Sequence, residues 1–173
     1  MASGHVVETT LEFPYKRSLG PVIGAFLTGL RDGQITGVRT ASGTVLVPPL
    51  EYNPETGDSV DPTPVPVGPE GEVTTWTWVP EPAPHHPLDH PFAFALIRLD
   101  GASTALTHVV DTGDPAVLHA GLRVKPRWRP AGERQARIDA IEAFVVAEGG
   151  GAGDAGGAVA GRGAGDEGGG DRG

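Results

Sequence analysis

The apolar positions near the start of the chain have the spacing of a helix. In residues 18–31 (SLGPVIGAFLTGLR) they recur every three or four positions, which predicts an amphipathic helix with one apolar face. The main members of that face are Val22, Phe26 and Leu30. Because the helix is short and strongly apolar, we predict that this face docks on a partner.

From residue 35 onward the apolar runs are short and resemble strands. We predict strands at 35–38, 44–47, 72–79, 92–99, 104–110 and 121–129. The run at 92–99 is almost continuously apolar, as expected of a strand buried on both faces. About five short strands with uneven loops fit a small, partly open barrel of the OB type. Apolar residues on one side of 133–147 predict a C-terminal helix.

Residues 37–57 have the outline of a zinc ribbon that lacks its ligands. A hairpin is followed by Pro48-Pro49 and by a second tight turn at 53–57. Structural zinc takes four ligands, mostly cysteines, from two such turns. The chain has no cysteine, and the expected ligand positions hold Thr40, Ser42, Asn53 and Thr56. The sequence therefore predicts a metal-free ribbon, held by Val45, Val47, Tyr52 and its prolines.

Five blocks of sequence resemble one family in their order and spacing. They read FLTGLRDGQITGVR, VPPLEYNPETG, PFAFALIRLDGASTALTHVVD, AGLRVKPRW and ERQARIDAIEAF, and they span most of residues 18–144. They are similar to the acyl-CoA-associated proteins with a zinc ribbon fused to an OB fold (domain of unknown function 35), and most similar to the branch associated with steroid side-chain degradation.

This resemblance implies a mainly β fold in which an OB-fold barrel follows a rubredoxin-like ribbon. The expected parts are an N-terminal arm and helix (1–33), the degenerate ribbon (34–66), the barrel (67–130), a C-terminal helix (131–148) and a tail (149–173). The tail consists almost entirely of Gly, Ala, Asp, Glu and Arg. Since such a composition buries too little apolar surface to fold, we expect the tail to be disordered.

The resemblance also implies a function as a non-catalytic accessory subunit. The partner would be a thiolase-like or lipid-transfer-protein-like enzyme that cleaves acyl-CoA thioesters by a thiolytic or retro-aldol step, in steroid or cholesterol side-chain degradation. The chemistry would then belong to the partner. This chain would need no cofactor and no zinc of its own, and would at most contact the coenzyme A of the shared substrate.

Net charge and hydropathy limit which functions and locations fit the chain. The formal net charge is -9, and an acidic chain is a poor generic ligand for nucleic acid, whose phosphates require clustered Lys and Arg. An OB-fold nucleic-acid-binding protein therefore remains only as an alternative. The first residues lack the pattern of a secretory signal, and no apolar run is long enough to span a membrane. We expect a soluble cytoplasmic protein.

Basic residues concentrate near the end of the predicted barrel. They are Arg123, Lys125, Arg127, Arg129, Arg134 and Arg137. The first four alternate, so a strand would place them on one face. Three interpretations stay open: contact with the phosphates of coenzyme A, contact with an acidic partner, or a charged strand face that prevents edge-to-edge pairing.

Three further groups are weaker candidates. His85, His86 and His90 with Asp89 contain metal-ligand chemistry, but the prolines around them favour a polar surface loop. His108 and Asp111 suggest a base and its orienting carboxylate. No nucleophile motif accompanies them, so a standalone acyl-CoA hydrolase or hydratase ranks last. Trp76 and Trp78 share a strand face and suit core packing or an apolar cleft better than base stacking.

Overall fold

This computed structural model describes residues 18–148. The first element in this range is its single α-helix. The predicted arm before residue 18 and the Gly-rich tail after residue 148 lie outside this range. Helix α1 spans Pro21–Arg31, and proline at the first position suits a helix start because its missing N–H has no partner there anyway. The backbone N–H of Ile23 donates to the Glu51 carboxylate at 2.9 Å. A negative charge at this end is favourable because the unpaired N–H groups make it electropositive.

The apolar face of α1 is covered by the chain itself. Phe26 and Leu30 belong to the main core, while Val22 packs with Val38, Leu46 and Val60 in a smaller cluster. All three predicted docking residues are buried, with Leu30 completely inaccessible. This corrects the expectation that the helix presents Val22, Phe26 and Leu30 to a partner, since in this fold their partner is intramolecular.

Three short strands follow and form a small antiparallel sheet. They are β1 (Thr36–Arg39), β2 (Val45–Leu46) and β3 (Val65–Pro66), in the order β2-β1-β3. The β1 and β2 backbones approach closely at Gly37, where an added Cβ would lie 2.6 Å from the carbonyl oxygen of Leu46. Only glycine fits this position without moving a strand. The antiparallel pairing of β1 with β2 confirms the predicted hairpin.

Five strands then close a barrel. They are β4 (Gly71–Val79), β5 (Phe92–Leu99), β6 (Leu106–Val110), β7 (Arg123–Trp128) and β8 (Ile141–Val146). Their order around the barrel is β4-β5-β6-β8-β7, with β7 returning to β4. Every neighbouring pair is antiparallel except β6 and β8. The mainly β fold with an OB-type barrel is thus confirmed.

The predicted C-terminal helix over 131–148 is wrong. A 3-10 turn at Ile138–Ala140 leads directly into β8, which pairs with β7 over five residues. Phe144 and Ile141 fill the barrel interior. The barrel therefore extends to Val146 and does not end at residue 130. Since β8 is rich in branched and aromatic residues and has a partner strand, sheet pairing overrides its helix-like apolar spacing.

The three-stranded sheet is fixed to the barrel through the turn that precedes β6. The Thr104 hydroxyl accepts from the Val47 N–H at 2.7 Å and donates to the Val47 carbonyl at 2.9 Å. Ser103 does the same for Val45 with its hydroxyl and its backbone N–H, at 3.0 and 2.8 Å. Val45 and Val47 also belong to the main core. Helix, sheet and barrel therefore share one interior.

Candidate functional site

Most of the predicted basic residues are matched by carboxylates. Arg123 pairs with Asp100 and Glu70, Lys125 with Glu148, Arg127 with Asp111 and Glu142, and Arg137 with Asp139. In addition, β7 ends at Trp128, and a register shift after Arg127 takes Arg129 out of the alternation. The surface is therefore a mixed-charge face, which is closer to the third interpretation than to a phosphate-binding stripe.

Arg129 and Arg134 are the two members of the set that form no ion pair within residues 18–148. The Nε of Arg129 donates to the Asp139 carbonyl at 2.7 Å, and that of Arg134 to the Arg129 carbonyl at 2.8 Å. The Arg134 guanidinium also lies 5.5 Å from the centre of the Trp128 ring, a cation–π distance. These two side chains hold the segment between β7 and β8 and keep their charge available at its surface.

Arg123 forms the best-matched ion pair of the surface. Two of its nitrogens donate to the two oxygens of Asp100, at 2.8 and 2.6 Å. Hydrogen bonding to Asp100 raises the pKa of Arg123 and, reciprocally, lowers the pKa of Asp100. Asp100 belongs to the turn after β5, so the pair joins that turn to the first residue of β7. Because both groups are exposed, its contribution to stability is small.

A second group of charges, here called the Asp111 cluster, joins β7, β8, the loop at 80–91 and the residue that follows β6. It comprises His90, Asp111, Arg127 and Glu142. Arg127 contacts Asp111 at 2.9 Å and Glu142 at 2.8 Å, and His90 Nε2 lies 3.3 Å from Asp111. The Asp111 side chain is only 14% exposed. Its negative charge is compensated by Arg127 on one side and His90 on the other.

The pKa of His90 is expected to lie above that of an ordinary histidine. Its hydrogen bonds to Asp89 and then Asp111 raise the pKa of the imidazole. Since the folded-state pKa exceeds the unfolded one, the stabilisation is fully present below about pH 6.5 and is lost as the pH rises through the folded-state pKa. We therefore expect the loop at 80–91 to become more mobile as the pH rises above the ordinary histidine pKa and through the raised pKa of His90. An NMR titration of His90 checks this, and an unshifted midpoint contradicts it.

His86, in the same loop, has structural contacts. His86 Nδ1 accepts from the Ala83 N–H at 3.0 Å, and its ring meets those of Phe92 and Phe94 edge to face. Leu88 packs with Phe92, Val109 and Ala143 on the outside of the barrel. Among the residues that the structure describes, no group of three or more metal-binding side chains converges. The arrangement agrees with the surface-loop interpretation.

His108 is buried and separate from Asp111. Its side chain packs against Phe144, with the rings 5.5 Å apart. Nε2 lies 3.4 Å from the Ile138 carbonyl, and the buried Nδ1 has no hydrogen-bond partner. Burial lowers the pKa of His108, which keeps the ring neutral. Asp111 is engaged by Arg127 and His90, so the structure does not assemble the hypothetical base with its orienting carboxylate.

The four positions that replace zinc ligands line one open cleft of about 720 Å³. Three of them bind the backbone of their own turn. Thr40 Oγ1 accepts from Thr44 N at 3.1 Å, Asn53 Oδ1 from Glu55 N at 2.9 Å, and Thr56 Oγ1 from Asp58 N at 3.3 Å. Val45 and Val47 are buried as predicted, but Tyr52 is 62% exposed and contributes little to the packing.

Because hydrogen bonds fix both turns, we expect the fold to be independent of metal. Dialysis against EDTA should leave the thermal unfolding midpoint unchanged, whereas a structural zinc site would lose its folding free energy with the metal. Differential scanning calorimetry before and after dialysis makes the measurement. A midpoint that falls with EDTA and recovers with zinc contradicts the expectation.

The fold and these surfaces define the class of protein: an OB-type barrel that carries a helix and a small sheet on its N-terminal side. Residues 64–129 match the family described as "ChsH2, C-terminal OB-fold domain". The match covers β4 to β7, so this part of the chain is an OB-fold domain similar to that of ChsH2. No curated protein matches it. None of the helices within residues 18–148 is long and apolar enough to cross a membrane.

Solved structures share the fold, including the following two. One is a DUF35-family protein of unknown function from Sulfolobus solfataricus, with TM-score 0.56 and 19% identity, over 75% of this chain and 85% of that one. The other is a chain of the Ltp2-ChsH2(DUF35) aldolase, with TM-score 0.55 and 19% identity, over 76% of this chain and 98% of that one. At this level of identity the likeness establishes the fold alone.

Sequence reasoning missed two features of these surfaces. The first is Glu51, which lies in the segment after β2 and accepts from the Ile23 N–H in the first turn of α1. The second is the Asp111 cluster, whose members come from four separate segments. The alternation of Arg123, Lys125 and Arg127 did signal a charged strand face, but nothing local indicated their carboxylate partners.

Proposed function

We propose that this chain is an accessory subunit that binds and supports a thiolase-fold enzyme. The observation that carries the proposal is the match of residues 64–129 to the ChsH2 C-terminal OB-fold domain. A similar chain forms part of an aldolase together with Ltp2, which is the kind of assembly that we propose here. The partner would perform the carbon–carbon cleavage, and this chain would stabilise the partner and complete the entrance to its active site.

The contacts of the titratable side chains support a binding role. Within residues 18–148, Asp111 and Asp89 are engaged in ion pairs with Arg127 and His90. The neutral, buried His108 faces a backbone carbonyl and an aromatic ring instead of a carboxylate. General acid–base catalysis requires a positioned group that can reach the substrate, and within the described residues Asp111 and His108 are engaged in contacts of the fold itself.

The substrate of the assembly would be an acyl-CoA thioester, and specifically one derived from a steroid side chain. The resemblance of the block at 87–111 to the steroid-associated branch supports this finer assignment. If coenzyme A touches this chain, its phosphates would meet Arg129 and Arg134, because the other basic residues of the set are already matched by carboxylates. Such a subunit would work in the cytoplasm with its enzyme.

Co-purification tests the proposal. The tagged full chain is expressed in its native host and recovered with its bound proteins, which are identified by mass spectrometry. We expect a stoichiometric thiolase-like partner, and we expect that partner to lose acyl-CoA cleavage activity when this chain is omitted. A lone, monodisperse chain, together with an equally active isolated enzyme, overturns the proposal.

A further inference from the structure

The second half of β4 presents a strand edge without a partner in residues 18–148. On one side, Thr75–Val79 pair with β5. On the other side, the ladder to β7 covers only Gly71 and Glu72, and its last bonds join Val73 to Gly121 and Leu122. The ladder stops there because the chain before β7 leaves the sheet through the 3-10 turn at Pro115–Val117. We call the unpaired side of Thr75–Val79 the free edge.

The free edge is exposed, and apart from the β-bulge between Val73 and Thr75 at its start it lacks the usual protection. Four consecutive residues, 74–77, are exposed, so both faces of the strand are open to solvent. Trp76 is among them, with 37% of its surface accessible. Natural edges are protected by charged residues, prolines, β-bulges or very short strands. The stretch Thr74–Val79 has no charge and no proline, which is the composition of a segment that pairs readily with other strands.

The chemistry of the free edge specifies an extended backbone as its occupant. A row of unpaired N–H and C=O groups is satisfied by one added strand, with a large side chain such as Trp76 as an anchor. The edge itself is neutral, but the exposed Glu81 follows it along the chain, and the chain as a whole carries a net charge of -9. An added strand with basic residues at its ends complements this surface.

A second copy of this chain fits the free edge poorly. Each copy has a net charge of -9, so association brings two acidic chains together and opposes dimerisation. Charge therefore favours a different protein as the source of the strand.

We propose that the free edge of β4 receives an extended, basic segment of the thiolase-fold subunit by strand addition. The inference rests on the proposed function and goes further by naming the surface and the mode of contact. Strand addition lets backbone hydrogen bonds provide much of the affinity, while Trp76 selects the side chains that face it. The closed remainder of the barrel then stays unchanged on binding.

Two substitutions at one position and a matched control test the proposal on the co-purified complex. Trp76→Lys places a charge on the free edge that repels a basic strand, and Trp76→Glu removes the same ring but attracts one. Leu96→Lys is the control, because Leu96 is also 37% exposed but belongs to β5, which is paired on both sides. We expect Trp76→Lys to weaken binding at least tenfold, Trp76→Glu to weaken it less, and Leu96→Lys to change it less than twofold.

Hydrogen exchange on the unmodified full chain supplies a readout that does not depend on folding of the variants. We expect the amides of residues 75–79 that face the free edge to exchange quickly in the isolated chain and at least tenfold more slowly in the complex. A complex that forms without this protection, or an equal loss of binding in Leu96→Lys, overturns the inference and leaves the proposed function standing. Absence of any complex overturns both.

Other occupants of the free edge produce different results, each of which overturns the proposal. If a second copy occupies it, analytical ultracentrifugation of the isolated chain gives a dimer that Trp76→Lys converts to a monomer. If the chain's own residues 1–17 occupy it, the amides of 75–79 are protected in the isolated monomer and lose that protection when those residues are deleted.

Discussion

Replacing Phe144 with alanine should lower the free energy of unfolding by about 3–5 kcal/mol, the usual cost of removing a large buried aromatic side chain. Phe144 is completely inaccessible and lies in the main core. Its backbone pairs with Pro126 of β7 and with Val110 of β6, at the point where β8 closes the barrel. The cavity left by the ring would border β7, β8 and the His108 side chain. Urea denaturation followed by tryptophan fluorescence measures the change.

The neighbouring residue provides the control for this prediction. Val145 is partly accessible and faces the opposite side of β8, because side chains alternate along a strand. Val145→Ala should therefore cost roughly 1 kcal/mol or less. In a helix over the same residues, Phe144 and Val145 would lie on one apolar side and lose comparable stability. Similar costs for both substitutions, or a cost below about 1 kcal/mol for Phe144→Ala, contradict the closure of the barrel by β8.

The elements that the sequence predicts correctly are those whose own pattern suffices. Helix α1 has a complete apolar face, and β4 and β5 combine strong β formers with clear turn signals on both sides. The structure ends β5 at Leu99, as predicted. For β6 the observed start at Leu106 is two residues later than the prediction, because Ser103 and Thr104 bind the small sheet instead of a barrel neighbour.

Strand β8 could not be assigned from its local pattern. The segment ERQARIDAIEAFVV combines a polar start with apolar residues every three or four positions, as an amphipathic helix does. What decides its conformation is the open side of β7, which offers five residues of ladder to a strand that returns from the loop. That information is non-local, so the correct barrel boundary at residue 146 requires the tertiary structure.

The candidate surface shows the same division between local and non-local information. Alternation along β7 correctly predicts that Arg123, Lys125 and Arg127 form a charged strand face. The carboxylates that neutralise them lie far away in sequence: Asp100 is 23 residues from Arg123, and Asp111 is 16 residues from Arg127. A count of basic residues in a window therefore overestimates the positive charge that the folded chain presents.

A methyl group added at Gly71 should destabilise the barrel by about 1–3 kcal/mol or more, the range for overpacked interiors. Gly71 is buried where β4 pairs with both β5 and β7. An added Cβ would lie 2.5 Å from the Arg98 carbonyl oxygen and 2.8 Å from the Leu99 Cα. Both are backbone atoms in the middle of a sheet, so they cannot move aside as a flexible side chain does. Gly71→Ala must therefore shift a strand at the closure of the barrel.

The same substitution in α1 should have the opposite sign, which makes it the matched control. A Cβ added at Gly24 meets no atom within 4 Å, and alanine in a helix interior is more favourable than glycine by about 0.5–1 kcal/mol. Gly24→Ala is therefore expected to raise the urea midpoint and Gly71→Ala to lower it, with the slope of the unfolding transition unchanged in both. If Gly71→Ala proved neutral, the three strands would not approach as closely at this point as the structure requires.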